Sequence, residues 1–219
     1  MYAMIPRCTF TSMQTPMASP SDKIDLRRER SVHTRKLLIQ ATLSVIAKKG
    51  LAGTTLSTVS EESGLSRSLV GFHFKSKDQM LTEALRDLLQ DYRQGWLDIN
   101  EQADLGPMEK LKAMIAWELG PIACTRKNLA VWFAFWGEIS TRSIYRDLVS
   151  ESDEEYMGIL ESLLVKLNGN DPAARTISSG LSAMIVGLWM DFHMSPDEFD
   201  RQAAIETCIS YIRAVLPAR

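Results

Sequence analysis

Three cysteines and three histidines are all that 219 residues provide. Cys8, Cys124 and Cys208 are odd in number and widely spread, which excludes a disulfide framework. With His33, His73 and His193 they make no ligand spacing for zinc, so no metal is expected. The expected state is three reduced thiols in a cytoplasmic protein. No run of eighteen apolar residues occurs, so no segment is built to span a bilayer and no membrane role is expected. Neither a Gly-rich phosphate loop nor a Ser nucleophile motif is present. His193 and Asp191, two apart on a helix, face different ways. The sequence therefore offers no catalytic residues and no cofactor site. Residues 1–26 are rich in Ser, Thr, Pro and Met and lack the apolar core of a signal peptide, which reads as a disordered leader.

What is present is unevenly charged. Residues 1–80 carry twelve Lys/Arg against six Asp/Glu, a charge of +6, while the remainder carries thirteen against twenty-one, a charge of −8. A basic N-terminal module on an acidic body suits a nucleic-acid reader joined to a part with another task.

Residues 55–74, TLSTVSEESGLSRSLVGFHF, read as two short helices around a tight turn. Thr55 is a good N-cap, Val59 with Leu56, Ser60 and Ser63 makes a narrow inward face, and Gly64 stops the helix. Ser66 caps the second helix, anchored by Leu69, Val70 and Phe74. Arg67, Ser68, Gly71, Phe72 and His73 then face outwards. This is the pattern of a helix-turn-helix whose second helix enters a DNA major groove, although an ordinary helical hairpin would share it. Upstream, residues 30–50 form an amphipathic helix ended by Gly50. Downstream, Lys77 opens a long helix with Met80, Leu81, Ala84, Leu85, Leu88 and Leu89 as its stripe.

Taken together, Ala41, Gly50, Thr55, Val59, Gly64-Leu65-Ser66, His73, Phe74, Lys77 and Leu81 resemble the N-terminal domain of the tetracycline-repressor (TetR) family. Ser60, Ser63, Ser68 and Gly71 depart from the family pattern, Gly71 where an aromatic usually meets phosphate. The resemblance implies an all-α protein: a three-helix DNA-binding domain over 27–76 and a helical effector-binding and dimerisation domain over 77–219. It also implies a homodimer on a palindromic double-stranded DNA operator. Thr55, Ser66, Arg67, Ser68, Gly71, Phe72, His73 and Lys77 are its expected DNA-contacting residues. Arg67 is expected to pair with guanine edges, and His73 and Lys77 to meet phosphates.

The rest of the chain reads as helix, nine or ten in total, with stops at 101–106, Gly120-Pro121 and 168–170, and a final helix opened by Ser195-Pro196. Small residues Ser178, Ser179, Gly180, Ser182, Ala183 and Gly187 suit either a dyad interface or closure of the monomer core. Trp132, Phe133 and Trp136 share a helical face, Trp189 and Phe192 lie together on another helix, and Trp117 lies on a third. Such a cluster is either packed core or a cavity whose ring faces attract a cation. Trp132, Ala134, Phe135, Trp136, Tyr145, Arg146, Leu181, Gly187, Leu188 and Trp189 resemble the C-terminal domain of the choline-responsive, BetI-type subgroup. Val186 stands where that subgroup has Asp, and Asp191 where it has a basic residue. The resemblance implies a small-molecule effector, choline or a related quaternary ammonium, against Trp117, Trp132, Phe133, Trp136, Trp189 and Phe192. An unrelated effector, or a protein partner in its place, is the alternative.

Overall fold

A computed structural model describes residues 20–168 and 172–216, with side chains at 28–167 and 172–216. All elements among them are helices: α1 (Pro20–Gly53), α2 (Leu56–Ser63), α3 (Arg67–His73), α4 (Lys77–Asn100), α5 (Pro107–Glu118), α6 (Arg126–Trp136), α7 (Ser143–Asn168), α8 (Ala173–Met194) and α9 (Arg201–Val215). The chain divides into two compact units, up to Lys36 and from Leu37 onward. The described part of the first is helix, its residues 28–33 exposed, with the Thr34 hydroxyl donating to the Arg30 carbonyl at 2.8 Å. Most of the leader expected over 1–26 lies outside the described residues, as does the stop expected at Gly169-Asn170.

In the second unit the capping signals place the helices. Gly50 takes φ +67° and breaks α1. Gly64 takes φ +68° after α2, a left-handed conformation that a side chain would strain. Thr55 accepts from the Thr58 N–H while the Thr58 hydroxyl accepts from the Thr55 N–H, a reciprocal cap. Ser66 and Ser76 cap α3 and α4 with one bond each, accepting from the Leu69 and Gln79 N–H groups. Pro107 opens α5, where its missing N–H costs nothing.

α6 ends at Trp136, where 137–141 turn over the helix end. One boundary differs from expectation. Ser195-Pro196 does not open the last helix. Asp200 is its cap, accepting from the Ala203 N–H at 3.0 Å.

One apolar core runs through this unit. Leu38, Val59, Val70, Phe74, Met80 and Leu85 are wholly buried in its N-terminal part, as are Trp96, Leu111, Leu129, Phe135 and Leu181 in the body. Among the described residues no helix is long and apolar enough to cross a membrane.

Candidate functional site

Two places gather unusual side chains: the outer face of α2–α3, and a cavity between α4, α6, α7 and α8.

Val70 on α3 and Phe74 just past its end are buried and hold the helix down, while Arg67, Ser68, Gly71 and Phe72 are exposed and His73 is half-buried. Phe72 is 77% exposed, an unusual place for a phenyl ring, and meets the His73 ring in a T-shaped contact with centroids 5.3 Å apart. Nothing lies within 4 Å of where a Gly71 side chain would begin, so packing does not require the glycine. The departures at 60 and 63 have a local use. Ser60 donates to the Leu65 carbonyl at 2.6 Å, and Ser63 accepts from the Leu65 N–H at 3.3 Å, so both serines lace the turn. Three expected DNA contacts carry structural duties. Thr55 and Ser66 are spent as caps, and the Lys77 ammonium donates to the Ala52 carbonyl at 3.0 Å, tying α4 to the end of α1.

The cavity has a volume of about 120 Å³ and is lined by Tyr92, Trp132, Trp136, Tyr156 and Trp189, with Asp153, Ser182 and apolar side chains of α7 and α8. Trp136 and Trp189 lie within 20° of parallel with centroids 6.3 Å apart. Tyr92 is the hub, with ring centroids of Trp117, Trp132, Trp189 and Tyr156 at 5.3, 5.5, 5.9 and 6.2 Å. Gly95 leaves room for this arrangement, since a side chain there would strike the Trp117 ring.

Of the six residues expected at the effector, the structure brings three to this cavity: Trp132, Trp136 and Trp189. Phe133 turns away to pack on His193 at 4.9 Å, and Phe192 packs on Phe199 with the Arg201 guanidinium over its face. Trp117 backs Tyr92 instead, and lines a neighbouring cleft of about 160 Å³ that shares Tyr92 and Trp132. Tyr92, Tyr156 and Asp153 were not among the expected residues. Tyr92 continues the Leu85-Leu88 stripe of α4, and that periodicity was the available signal.

Behind the rings sits Glu118, wholly buried. The Tyr92 hydroxyl donates to its Oε1 at 2.5 Å, and Trp189 Nε1 donates to its main-chain carbonyl at 2.9 Å. Burial pushes the Glu118 carboxyl up to about 7, against the hydroxyls of Tyr92 and Tyr156, which favour the charged form. Burial also raises the Asp153 carboxyl above the usual carboxylate range.

Residues 38–84 match the family described as bacterial regulatory proteins, tetR family, and residues 107–217 match the BetI-type transcriptional repressor C-terminal domain. The chain is 32% identical over 197 residues to the HTH-type transcriptional regulator BetI of Paraburkholderia xenovorans, covering 84% of this chain and 94% of that one. It belongs to the TetR family. The BetI of Paraburkholderia phymatum is 30% identical over 206 residues, spanning 89% of this chain and 96% of the relative. Solved structures share the fold. A transcriptional regulator of Pseudomonas aeruginosa superposes with a TM-score of 0.74 at 24% identity, over 83% of this chain and 89% of that one. A regulator from Saccharomonospora viridis, solved in complex with choline, gives 0.75 at 19% identity, over 86% and 100%. This chain is thus a TetR-family transcriptional repressor with a BetI-type C-terminal domain. In that frame Val186 lines the cavity, so the carboxylate which the subgroup resemblance puts at 186 is missing there, and Asp153 brings one from α7. The second departure, Asp191, is exposed and outside the cavity lining.

Proposed function

We propose that the protein is a dimeric repressor released from a palindromic operator by a compact cation, choline or a related quaternary ammonium compound. The observation that carries this reading is the cavity of about 120 Å³ with five aromatic rings and Asp153 in its wall. Methylated ammonium groups cannot hydrogen-bond, so aromatic faces and a carboxylate are what such a ligand needs. An apolar cavity of about 150 Å³ takes a benzene ring, so this one suits a ligand of six or seven heavy atoms and excludes a long acyl chain. The choline bound by the Saccharomonospora viridis regulator of the same fold supports the assignment.

Arg67, Ser68, Phe72 and His73 are the working DNA contacts in this proposal, with Thr55, Ser66 and Lys77 positioning the helix that bears them. Tyr92 lies on α4, the same helix that Lys77 ties to the end of α1. An effector held against Tyr92 therefore acts on the helix that continues from the DNA-binding head. To release DNA it must bind the DNA-incompetent arrangement better than the competent one.

Ala183, Val186, Gly187, Met190 and Met194 form an exposed apolar stripe along α8, and Gly187 has open space around it. The monomer core does not use these residues, which favours the dyad interface over core closure.

An operator selected from random-sequence DNA provides the test. Choline should lower the affinity of the wild-type protein for it, and sedimentation should show a dimer at micromolar concentration. A monomer, or operator binding indifferent to millimolar choline, would contradict the proposal.

A further inference from the structure

Glu118 is a wholly buried carboxylate that forms no ion pair among the described residues. One of its oxygens, Oε2, has no hydrogen-bond partner. Burying a carboxyl oxygen without a hydrogen-bond partner costs free energy, so a protein that keeps one gains something from it elsewhere. Glu118 also holds the cavity wall together, because its carboxylate anchors Tyr92 and its main-chain carbonyl anchors Trp189. The groups facing it come from three sides: Tyr92 from α4, Asp153 and Tyr156 from α7, and the Cys124 thiol before α6. Arg201 of α9, which acts on the Cys124 thiol, donates to the carbonyls of Leu119 and Cys124.

We propose that Glu118 is the effector's buried counter-charge: a cation entering the ring cavity is balanced by ionisation of this carboxyl, whose proton leaves to solvent. The inference rests on the effector reading above and goes further, since it makes cation binding proton-linked and assigns charge selection to a residue behind the rings. No bond to the effector forms. The carboxyl O–H of Glu118 is broken, the proton passes to buffer, and the Tyr92 hydroxyl continues to donate to Oε1. The direction of the raised pKa agrees, because a carboxyl that is partly protonated near neutrality has a proton to give. Affinity for a permanent cation should therefore rise with pH, by up to about tenfold between pH 6 and 8, and level off above.

The experiment is calorimetry on the full chain with two probes, choline and its uncharged carbon isostere 3,3-dimethyl-1-butanol. Glu118→Gln keeps an acceptor for Tyr92 and removes the charge. It should weaken choline by about tenfold or more, leave the isostere within about twofold, and abolish the rise with pH. Tyr92→Phe keeps the ring and removes the donor that favours the ionised form, so the midpoint of the choline pH profile should move upward. Wild-type choline binding that is independent of pH, or an unchanged choline affinity in Glu118→Gln, would overturn the counter-charge. Equal loss of both probes in Glu118→Gln would also overturn it, by showing that Glu118 only packs the cavity. If the wild type binds the isostere but not choline, the cation reading itself falls, a result distinct from any of these.

Discussion

The outer face of α2–α3 and the ring cavity are organised in opposite ways. The first keeps its working side chains in water and fixes them with hydrogen bonds three residues apart, such as Thr55 to Thr58 and Ser66 to Leu69. The second buries its working side chains and fixes them across long stretches of chain: Tyr92 to Glu118 spans 26 residues, and Glu118 to Trp189 spans 71. Local scaffolding leaves the exposed residues free to change without cost to the fold. Long-range scaffolding makes the cavity residues structural members as well as proposed ligand contacts. Binding and stability should thus separate in the head and travel together in the body.

Trp189→Ala is the severest test of that contrast. The ring is buried and its Nε1 holds the Glu118 carbonyl, so truncation should cost about 3–5 kcal/mol in denaturant unfolding along with any effector binding. Normal stability in that variant would show that the cavity is not part of the framework.

Glu118→Gln gives the next largest effect, read here in stability alone. The folded protein holds this carboxyl at about 7 against 4.5 as its ordinary value. Between those values the folded chain keeps a proton that the unfolded chain has lost. The contribution is therefore fully present below pH 4.5 and is lost as pH rises to 7, on the order of 3 kcal/mol. The substitution should flatten that decline in urea unfolding from pH 4.5 to 7.5. A slope that persists would place the titrating group elsewhere.

In the head, Arg67→Ala should cost about 1–3 kcal/mol of operator affinity and relax preference at one base pair, with the melting temperature unmoved. Unchanged affinity at fixed salt would remove Arg67 from the interface. Gly71→Ala is the smallest change. The new methyl meets nothing, so helix propensity alone should stabilise the protein by up to about 1 kcal/mol. A loss of stability there would mean that the recognition helix is less open than its surroundings indicate.

The same contrast explains what could be read in the sequence. Thr55, Gly64, Ser66 and Pro107 act on neighbours within four residues, so caps, stops and most helix limits were legible, including α4 over its whole length. Ser195-Pro196 misled because a Ser-Pro start competes with an Asp200 cap only five residues on, and local chemistry does not rank the two. Helical spacing found Trp132, Trp136 and Trp189 but also admitted Phe133 and Phe192, whose partners His193 and Phe199 are set by packing. Glu118, Asp153 and Tyr156 stayed hidden because each matters only through residues brought from other helices. A carboxylate inside an apolar stripe, as Glu118 follows Met114 and Ile115, is the one trace that this design leaves in a sequence.

The central claim is that the ring cavity binds a quaternary ammonium through its aromatic faces. Calorimetric titration of choline into the wild-type protein and into Trp136→Leu addresses it directly, since leucine keeps an apolar side chain and removes the π face. Each ring lost should cost about 0.5–2 kcal/mol, so choline binding should be evident in the wild type and severalfold weaker or absent in the variant. No binding to the wild type at millimolar choline, or equal affinity in both proteins, would show that the rings are packing and that the effector is of another kind.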